Sequence, residues 1–387
     1  MDERLEETVA ILADLVAFPT VSSESNLALI DYVVGRLGQL GARLDVTHDA
    51  DGRKANLFAT LGPMRAGGIV LSGHTDVVPA EAAEWTGDPF TLREEDGRLY
   101  GRGTCDMKGF IAATLALAPH FAALPLTRPV HFAFTYDEEV GCVGARQLCE
   151  LIEQRDARPA IAIIGEPTEM RVIEGHKGCC EYTTHFHGLA GHGSNPAAGV
   201  NAIDMAVRYI ARLLDIGEEL KTRAPEASRF EPPYTTVQVG EIEGGTARNV
   251  IAAHCRVGWE MRPVQYADQV FVKEHLARYC GEVLLPRMRE VHPEARIETE
   301  VIGEVAGLEP ASVNAARDIA LALTGRRETD VVAFGTEAGL FQAIGLSAAV
   351  CGPGSIEQAH RIDEFVTRDQ LSQALVMLRG LGPTLTA

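Results

Sequence analysis

The chain of 387 residues is 46% hydrophobic and 23% charged, a balance that excludes a disordered or collagen-like polymer and gives room for two or three domains. Its 54 acidic side chains outnumber 35 basic ones for a formal charge of −19, and no cluster of Lys and Arg offers a footing for nucleic acid or anionic lipid. The opening Met1-Asp-Glu-Arg-Leu-Glu-Glu lacks the basic and then apolar order of a signal peptide, and no apolar run nears the roughly 20 residues of a membrane span; we expect a soluble, cytoplasmic protein without a membrane partner.

Apolar positions at Leu5, Val9, Leu12 and Leu15, closed by Phe18-Pro19, predict a first helix, and a second spans about Asn26 to Leu40. Short apolar runs between turn signals predict buried strands at Leu57 to Leu61, Ile69 to Ser72, Val130 to Thr135 and Ile161 to Ile164. With the helical stretch Lys108 to Phe121 between them, they read as an α/β domain with a mostly parallel sheet. From Cys180 the texture becomes alternating, and the order to Ile302 reads strand, helix (Ala202 to Leu214), strand (Tyr234 to Ile242), strand (Ile251 to Met261), helix (Ala267 to Met288), strand (Arg296 to Ile302). This is the ferredoxin-like β-α-β-β-α-β order. Buried patterning returns with a helix over Ala311 to Thr324 and strands at Val331 to Phe334 and Ser347 to Cys351. The expected domains are therefore 1–179 and 307–387 as two parts of one catalytic domain, with 180–306 inserted. Eight cysteines without a C-x-x-C pair read as reduced thiols.

Acidic and histidine residues fall where these strands end. His74 and Asp76 follow one strand, Glu138 and Glu139 a second, Glu166 a third and His360 a fourth, while Asp106 opens the helix that begins near Lys108. Open α/β sheets bind ligands at their carboxyl edge, so these groups can converge from distant positions. Carboxylates gathered around one point repel unless cations are present, and metal is the economical explanation. Two Zn²⁺ ions carry +4; Asp106, Glu139 and Glu166 supply −3 and a bridging hydroxide −1, summing to zero as suits a dinuclear hydrolytic site. Asp76 can accept the proton of the second ring nitrogen of His74 and fix its tautomer. Neighbours in a turn point apart, so one of Glu138 and Glu139 can bind metal while the other holds a proton. The stretch from Gly101 to Asp106 lacks the last glycine of a dinucleotide fingerprint, and no G-x-S-x-G elbow occurs.

The motifs Ser72-Gly-His-Thr-Asp-Val-Val-Pro79, Gly101-Arg-Gly-Thr-Cys-Asp-Met-Lys-Gly109, Asp137-Glu-Glu-Val-Gly141, Gly165-Glu-Pro-Thr168 and Ala359-His-Arg-Ile-Asp-Glu364 span nearly the whole chain. Together they resemble the acetylornithine deacetylase and succinyl-diaminopimelate desuccinylase family of dinuclear zinc amidohydrolases and peptidases. The resemblance implies a zinc-peptidase-like fold in which Asp106 bridges two metal ions, zinc or alternatively cobalt. His74 and Glu166 would complete one site, Glu139 and His360 the other, with Glu138 as general base and a cis peptide bond after Asp106. It also implies that the inserted domain is a dimerisation lid whose segment Gly191-His-Gly-Ser-Asn-Pro196 carries His192 to the partner subunit's active site, making a homodimer.

Within that family, Gly175-His-Lys-Gly178, Phe334-Gly-Thr-Glu-Ala-Gly339, Cys351-Gly-Pro-Gly-Ser355 and Glu166, where the peptidases tend to carry Asp, resemble the members that cleave N-acetyl-L-ornithine to ornithine and acetate, a step of arginine biosynthesis. The small-molecule substrate's carboxylate would need a cation, for which Arg262 at a strand end is the first candidate. Asn249 and Thr336 are weaker candidates for polar substrate contacts, and Glu337 is a candidate for the substrate amine or a helix-start carboxylate. Rival readings are succinyl-diaminopimelate, another N-acylamino acid or a dipeptide as substrate, or a metal-binding protein without turnover.

Overall fold

The structure is a computed structural model that describes residues 3–387, and it divides into two compact units. One runs to Gly175 and resumes over Pro310–Val331 and Thr336–Ala387; the other comprises His176–Glu309 and Val332–Gly335.

The first unit is built on a mixed sheet of eight strands. Its lateral order is Arg43–His48, Ala55–Leu61, Val130–Thr135, Ile69–His74, Ile161–Pro167, Ser347–Gly352, Val172–His176, Thr329–Val332. The four strands from Val130–Thr135 to Ser347–Gly352 are parallel. Their flanks are antiparallel, Ala55–Leu61 on one side and Val172–His176 on the other. The central strands bury nearly every residue, as continuous apolar runs require when both faces are covered. From Ile69–His74 the chain passes to the neighbour on one side, Val130–Thr135, and then to the neighbour on the other, Ile161–Pro167. That reversal leaves a crevice at the carboxyl ends.

The helix Gly109–Ala122 carries apolar residues all round and is buried between the helices Glu3–Val16 and Arg368–Arg379. Burying side chains such as Phe110, Ile111 and Phe121 stabilises the unit by about 1.5–3 kcal/mol each. This anchors the helix whose preceding loop carries Asp106.

The second unit holds a four-stranded antiparallel sheet in the order Thr236–Gly244, His254–Arg262, Cys179–His187, Arg296–Val305. With helices Ala202–Lys221 and Tyr266–Tyr279 between strands, chain order and pairing are those of the ferredoxin-like arrangement. Cys180, Tyr182, Phe186, Cys255, Val257, Trp259 and Met261 face a core shared with Tyr209, Leu213, Ile216, Val272 and Leu276. Alternation then leaves Glu181, Thr183, His185 and His187 on the outer face.

Several boundaries differ from the sequence expectation. The helix expected over Ala267 to Met288 gives way at Cys280–Leu284 to a wider turn before resuming as Leu285–Arg289, because Pro286 has no N–H for the ladder and its ring collides with the carbonyl four residues back. The helix expected from Ala311 starts at Ala315, where the Asn314 side chain accepts the N–H of Arg317. The strand expected from Ile251 begins at His254, since Val250–Ile251 pairs instead with Gly191–His192. Among the described residues no helix is long and apolar enough to cross a membrane, and the eight cysteines are unpaired.

Candidate metal centre

His74 ends its strand inside the crevice with 1% of its surface exposed. Thr75 fixes that strand end, its N–H and its hydroxyl both donating to the carbonyl of Thr135 at 2.8 and 2.7 Å. The Nδ1 of His74 lies 2.9 Å from the main-chain carbonyl of Asp76, which can only accept, so Nδ1 carries a proton. The second nitrogen, Nε2, faces Asp106 Oδ1 at 2.9 Å and Glu166 Oε1 at 3.9 Å. Burial opposes charge on this imidazole, but Glu166, Asp106 and Asp76 outweigh it and hold its pKa well above the ordinary value.

The Asp76 carboxylate has a further task besides the one its spacing suggested. It stands 3.6 Å from His74 Nδ1, and it accepts the Ser22 hydroxyl at 2.7 Å and the backbone N–H groups of Glu138 and Glu139 at 3.0 and 3.3 Å. A carboxylate has several acceptor sites, so Asp76 ties the histidine segment to the turn that presents both glutamates. That turn is further set by Asp137 at φ 55° and Cys142 at φ 53°, with Lys54 paired to Asp137 at 2.6 Å. Glu138 accepts the Cys142 thiol at 3.5 Å; burial, reinforced by Glu139, Glu337 and Asp106, pushes its carboxyl pKa well up.

Asp106 lies in a loop held by a residue that sequence reasoning left without a role. The buried Glu364 accepts the N–H groups of Gly103, Cys105 and Asp106 at 3.0, 2.8 and 3.0 Å and the Arg102 guanidinium at 2.7 Å. The one sequence signal was its place four residues after His360 in the same motif. Gly103 has φ 81°, and a Cβ there would stand 2.7 Å from Val77, so no other residue fits. The peptide bond Asp106–Met107 is cis, as the resemblance implies.

His360, at φ 63° and half-exposed, brings Nε2 to 3.0 Å from Glu139 and 3.5 Å from Asp106 Oδ2. These two carboxylates push its pKa up to about 10. The two oxygens of Asp106 thus face different histidines: Oδ1 with His74 and Glu166, Oδ2 with His360 and Glu139. His74, Asp106 and Glu139 offer ligand atoms within 4.8 Å of one another. Glu166 Oε1 is buried without a hydrogen-bond partner, a costly arrangement that a cation would relieve. Two imidazoles and three carboxylates are also the donors that divalent transition metals take, so the residues fit a metal.

Glu337 lies in the same unit, buried, accepting the hydroxyls of Ser72 at 3.2 Å and of Thr135, with burial raising its pKa to about 7. Its carboxyl is therefore engaged by the strands beneath the centre. Thr336 is buried too, its oxygen accepting the N–H of Ala338 at 3.0 Å. The remaining candidates belong to the second unit. Arg262 donates to Glu260 through Nη2 at 2.8 Å and Nε at 3.1 Å. Asn249 is exposed, and its carbonyl accepts the N–H of Gly193, beside His192. The exposed His192 has its Nδ1 2.7 Å from the Ser194 hydroxyl and 3.2 Å from the Ser194 N–H.

Residues 70–381 match the group described as peptidase family M20/M25/M40. Acetylornithine deacetylase from Klebsiella pneumoniae (strain 342) is 36% identical over 389 residues, covering 97% of this chain and 98% of its own. Among solved structures, aminopeptidase PepT from Bacillus cereus superposes with a TM-score of 0.72 at 19% identity, over 99% of both chains. The YXEP protein of Bacillus subtilis, described as a dinuclear metal binding peptidase, gives 0.66 at 17% identity over 100% of this chain and 99% of that one.

Proposed function

This chain belongs to peptidase family M20/M25/M40, as a metal-dependent amide hydrolase, and we propose that it hydrolyses N-acetyl-L-ornithine to L-ornithine and acetate in arginine biosynthesis. Identity to acetylornithine deacetylases across essentially the full length of both chains supports the substrate. The chemistry rests on one observation above all, the placing of Asp106 with one oxygen toward each histidine.

In this reading His74 and Glu166 would hold one divalent ion and His360 and Glu139 a second, with Asp106 shared between them, zinc being the first choice and cobalt the alternative. Bound there, the ions would polarise the amide carbonyl and acidify water. Glu138 takes the proton of the attacking water and returns it to the departing amine, and its upward-shifted carboxyl suits that exchange. Asp76 acts through others, by orienting His74 and the Glu138-Glu139 turn.

The second unit, which contains the inserted stretch 180–306, serves as lid and dimerisation domain. The backbone N–H of Ser194 donates a hydrogen bond to His192 Nδ1, which leaves Nε2–H as a donor suited to the oxyanion of a partner subunit's substrate. Arg262 would exchange Glu260 for the substrate carboxylate, Asn249 would add a polar contact from the His192 loop, and Thr336 retains its hydroxyl proton for another. The homodimer forms along the Thr236–Gly244 edge strand, beside which Ile242, Val207 and Leu214 are exposed. Eight unpaired thiols suit the reducing cytoplasm.

The test is competition: the zinc-loaded protein is given an equimolar mixture of N-acetylornithine, succinyl-diaminopimelate, other N-acetyl amino acids and a dipeptide, each followed by mass spectrometry. Acetylornithine should disappear first. Preferential loss of another amide would replace the substrate and keep the chemistry; loss of none would favour a metal-binding homologue without turnover.

A further inference from the structure

The outer face of the second unit's sheet carries three histidines that the hydrolytic reading does not use. His185 and His187 lie two apart on Cys179–His187 and so share a face, and His254 on the next strand is the direct partner of His187 in the antiparallel register. The rings of His187 and His254 are 5.3 Å apart between centroids and nearly perpendicular, at 80°. Two imidazoles bound to one ion through bonds of about 2.0–2.1 Å place their ring centres roughly 5–6 Å apart, so this pair is already at chelating distance. The ring of His185 is 6.4 Å from that of His187, so its partly exposed side chain would have to turn to offer a third nitrogen.

The strand on the other side supplies the groups that orient such ligands. Glu298 Oε2 is 3.3 Å from His187 Nε2, and Glu300 Oε2 is 3.5 Å from His185 Nε2. Each carboxylate is an ion-pair neighbour of its ring at these distances, and a metal-bound imidazole would present Nε2–H to it and Nδ1 to the ion. The Nδ1 of His187 is buried and has no hydrogen-bond partner. The three rings border a cavity of about 450 Å³. Arg256, which also lines it, has its charge tied to Glu243 at 2.8 Å.

We propose that His185, His187 and His254 form a second metal site on this sheet, separate from the hydrolytic centre, for a divalent transition-metal ion that favours imidazole, such as zinc or copper.

Zn²⁺ is the probe. The full-length protein is stripped with a chelator, dialysed against buffered micromolar Zn²⁺, and its metal counted, alongside His254→Ala and the double variant His187→Ala/His254→Ala. The variants should hold one equivalent fewer than the parent while keeping the parent's hydrolytic rate. Because the readout is a difference, it does not depend on how many ions the hydrolytic centre holds or on which amide is cleaved. Loading with Cu²⁺ adds a spectroscopic check: His254→Ala should remove the nitrogen-coupled paramagnetic resonance signal of one copper equivalent and leave the signal of copper held by His74 and His360. Equal zinc counts in parent and His254→Ala would overturn the proposal, as would copper nitrogen coupling unchanged by that substitution.

Discussion

In the first unit the strands Ile69–His74, Val130–Thr135 and Ile161–Pro167 are buried along their lengths, and the chemistry-bearing residues gather at and just beyond their carboxyl ends. In the second, Cys179–His187 and His254–Arg262 alternate, so titratable groups stand in rows along an outer face. A parallel sheet covered on both sides leaves only its edge for polar function, which concentrates charge where water is scarce. There burial lifts Glu138 and Glu166 well above the usual carboxylate range. The antiparallel sheet spreads its charges where solvent screens them, and ion pairs such as Arg296 with Glu298 add little to stability.

The contrast can be broken at its strongest point with Glu138→Gln. If the edge of the parallel sheet carries the reaction, this change should lower kcat by about 10²–10⁴-fold while metal analysis shows the ions retained. Unchanged turnover would remove Glu138 as the base. Next is Glu364→Ala, which strips a buried guanidinium and three backbone N–H groups of their acceptor; we expect a loss of about 3–5 kcal/mol in denaturant unfolding, since removing one partner leaves uncompensated charge inside. A change near zero would mean that the Asp106 loop holds itself. In the second unit Trp259 Nε1 donates to Thr184 Oγ1 at 3.0 Å, and Thr184→Val should cost about 1–3 kcal/mol by the same measurement.

A pH-dependent effect sharpens the comparison of buried and exposed histidines. His131, on the strand Val130–Thr135 of the first sheet, has its pKa pushed down to about 3 by burial, with Arg155 adding repulsion. Its folded value is depressed, so below the unfolded value of about 6.5 the unfolded chain takes up a proton that the folded chain refuses. The associated stability is complete above that pH and is lost at about 1.4 kcal/mol per pH unit as pH falls toward the folded value. His131→Gln should flatten the profile in that window. An unchanged slope would show that the ring is protonated within the fold.

Much of this was legible because burial writes itself into sequence. Runs such as Ile69-Val-Leu and Val130-His-Phe-Ala-Phe announced strands, and acids or histidines just past them pointed to one edge. The strand Arg43–His48 was missed because it lies at the sheet's margin and mixes polar with apolar residues, so it carries neither signal. The expectation for Asp76 named the residue but not its bond: sequence spacing cannot distinguish a carboxylate from the carbonyl of the same residue, and the carbonyl is nearer to the ring. Glu364 stayed without a role since its partners are 258 to 262 residues away, beyond any local pattern. The break at Pro286 was written in the chain, yet the apolar period on either side outweighed it.

The Glu364 clamp also sets a schedule. The ribosome makes Asp106 first and Glu364 258 residues later. At about 5–20 residues per second, the Asp106 loop waits roughly 10–50 s after its own synthesis for the carboxylate that fixes it. Within that interval the second unit is made in full, its main segment ending at Glu309 and its last four residues at Gly335, and it can pack its own core. The protein is thus built with its inserted part complete before its oldest part is functional, and a growing chain cannot turn over substrate until Glu364 has been made.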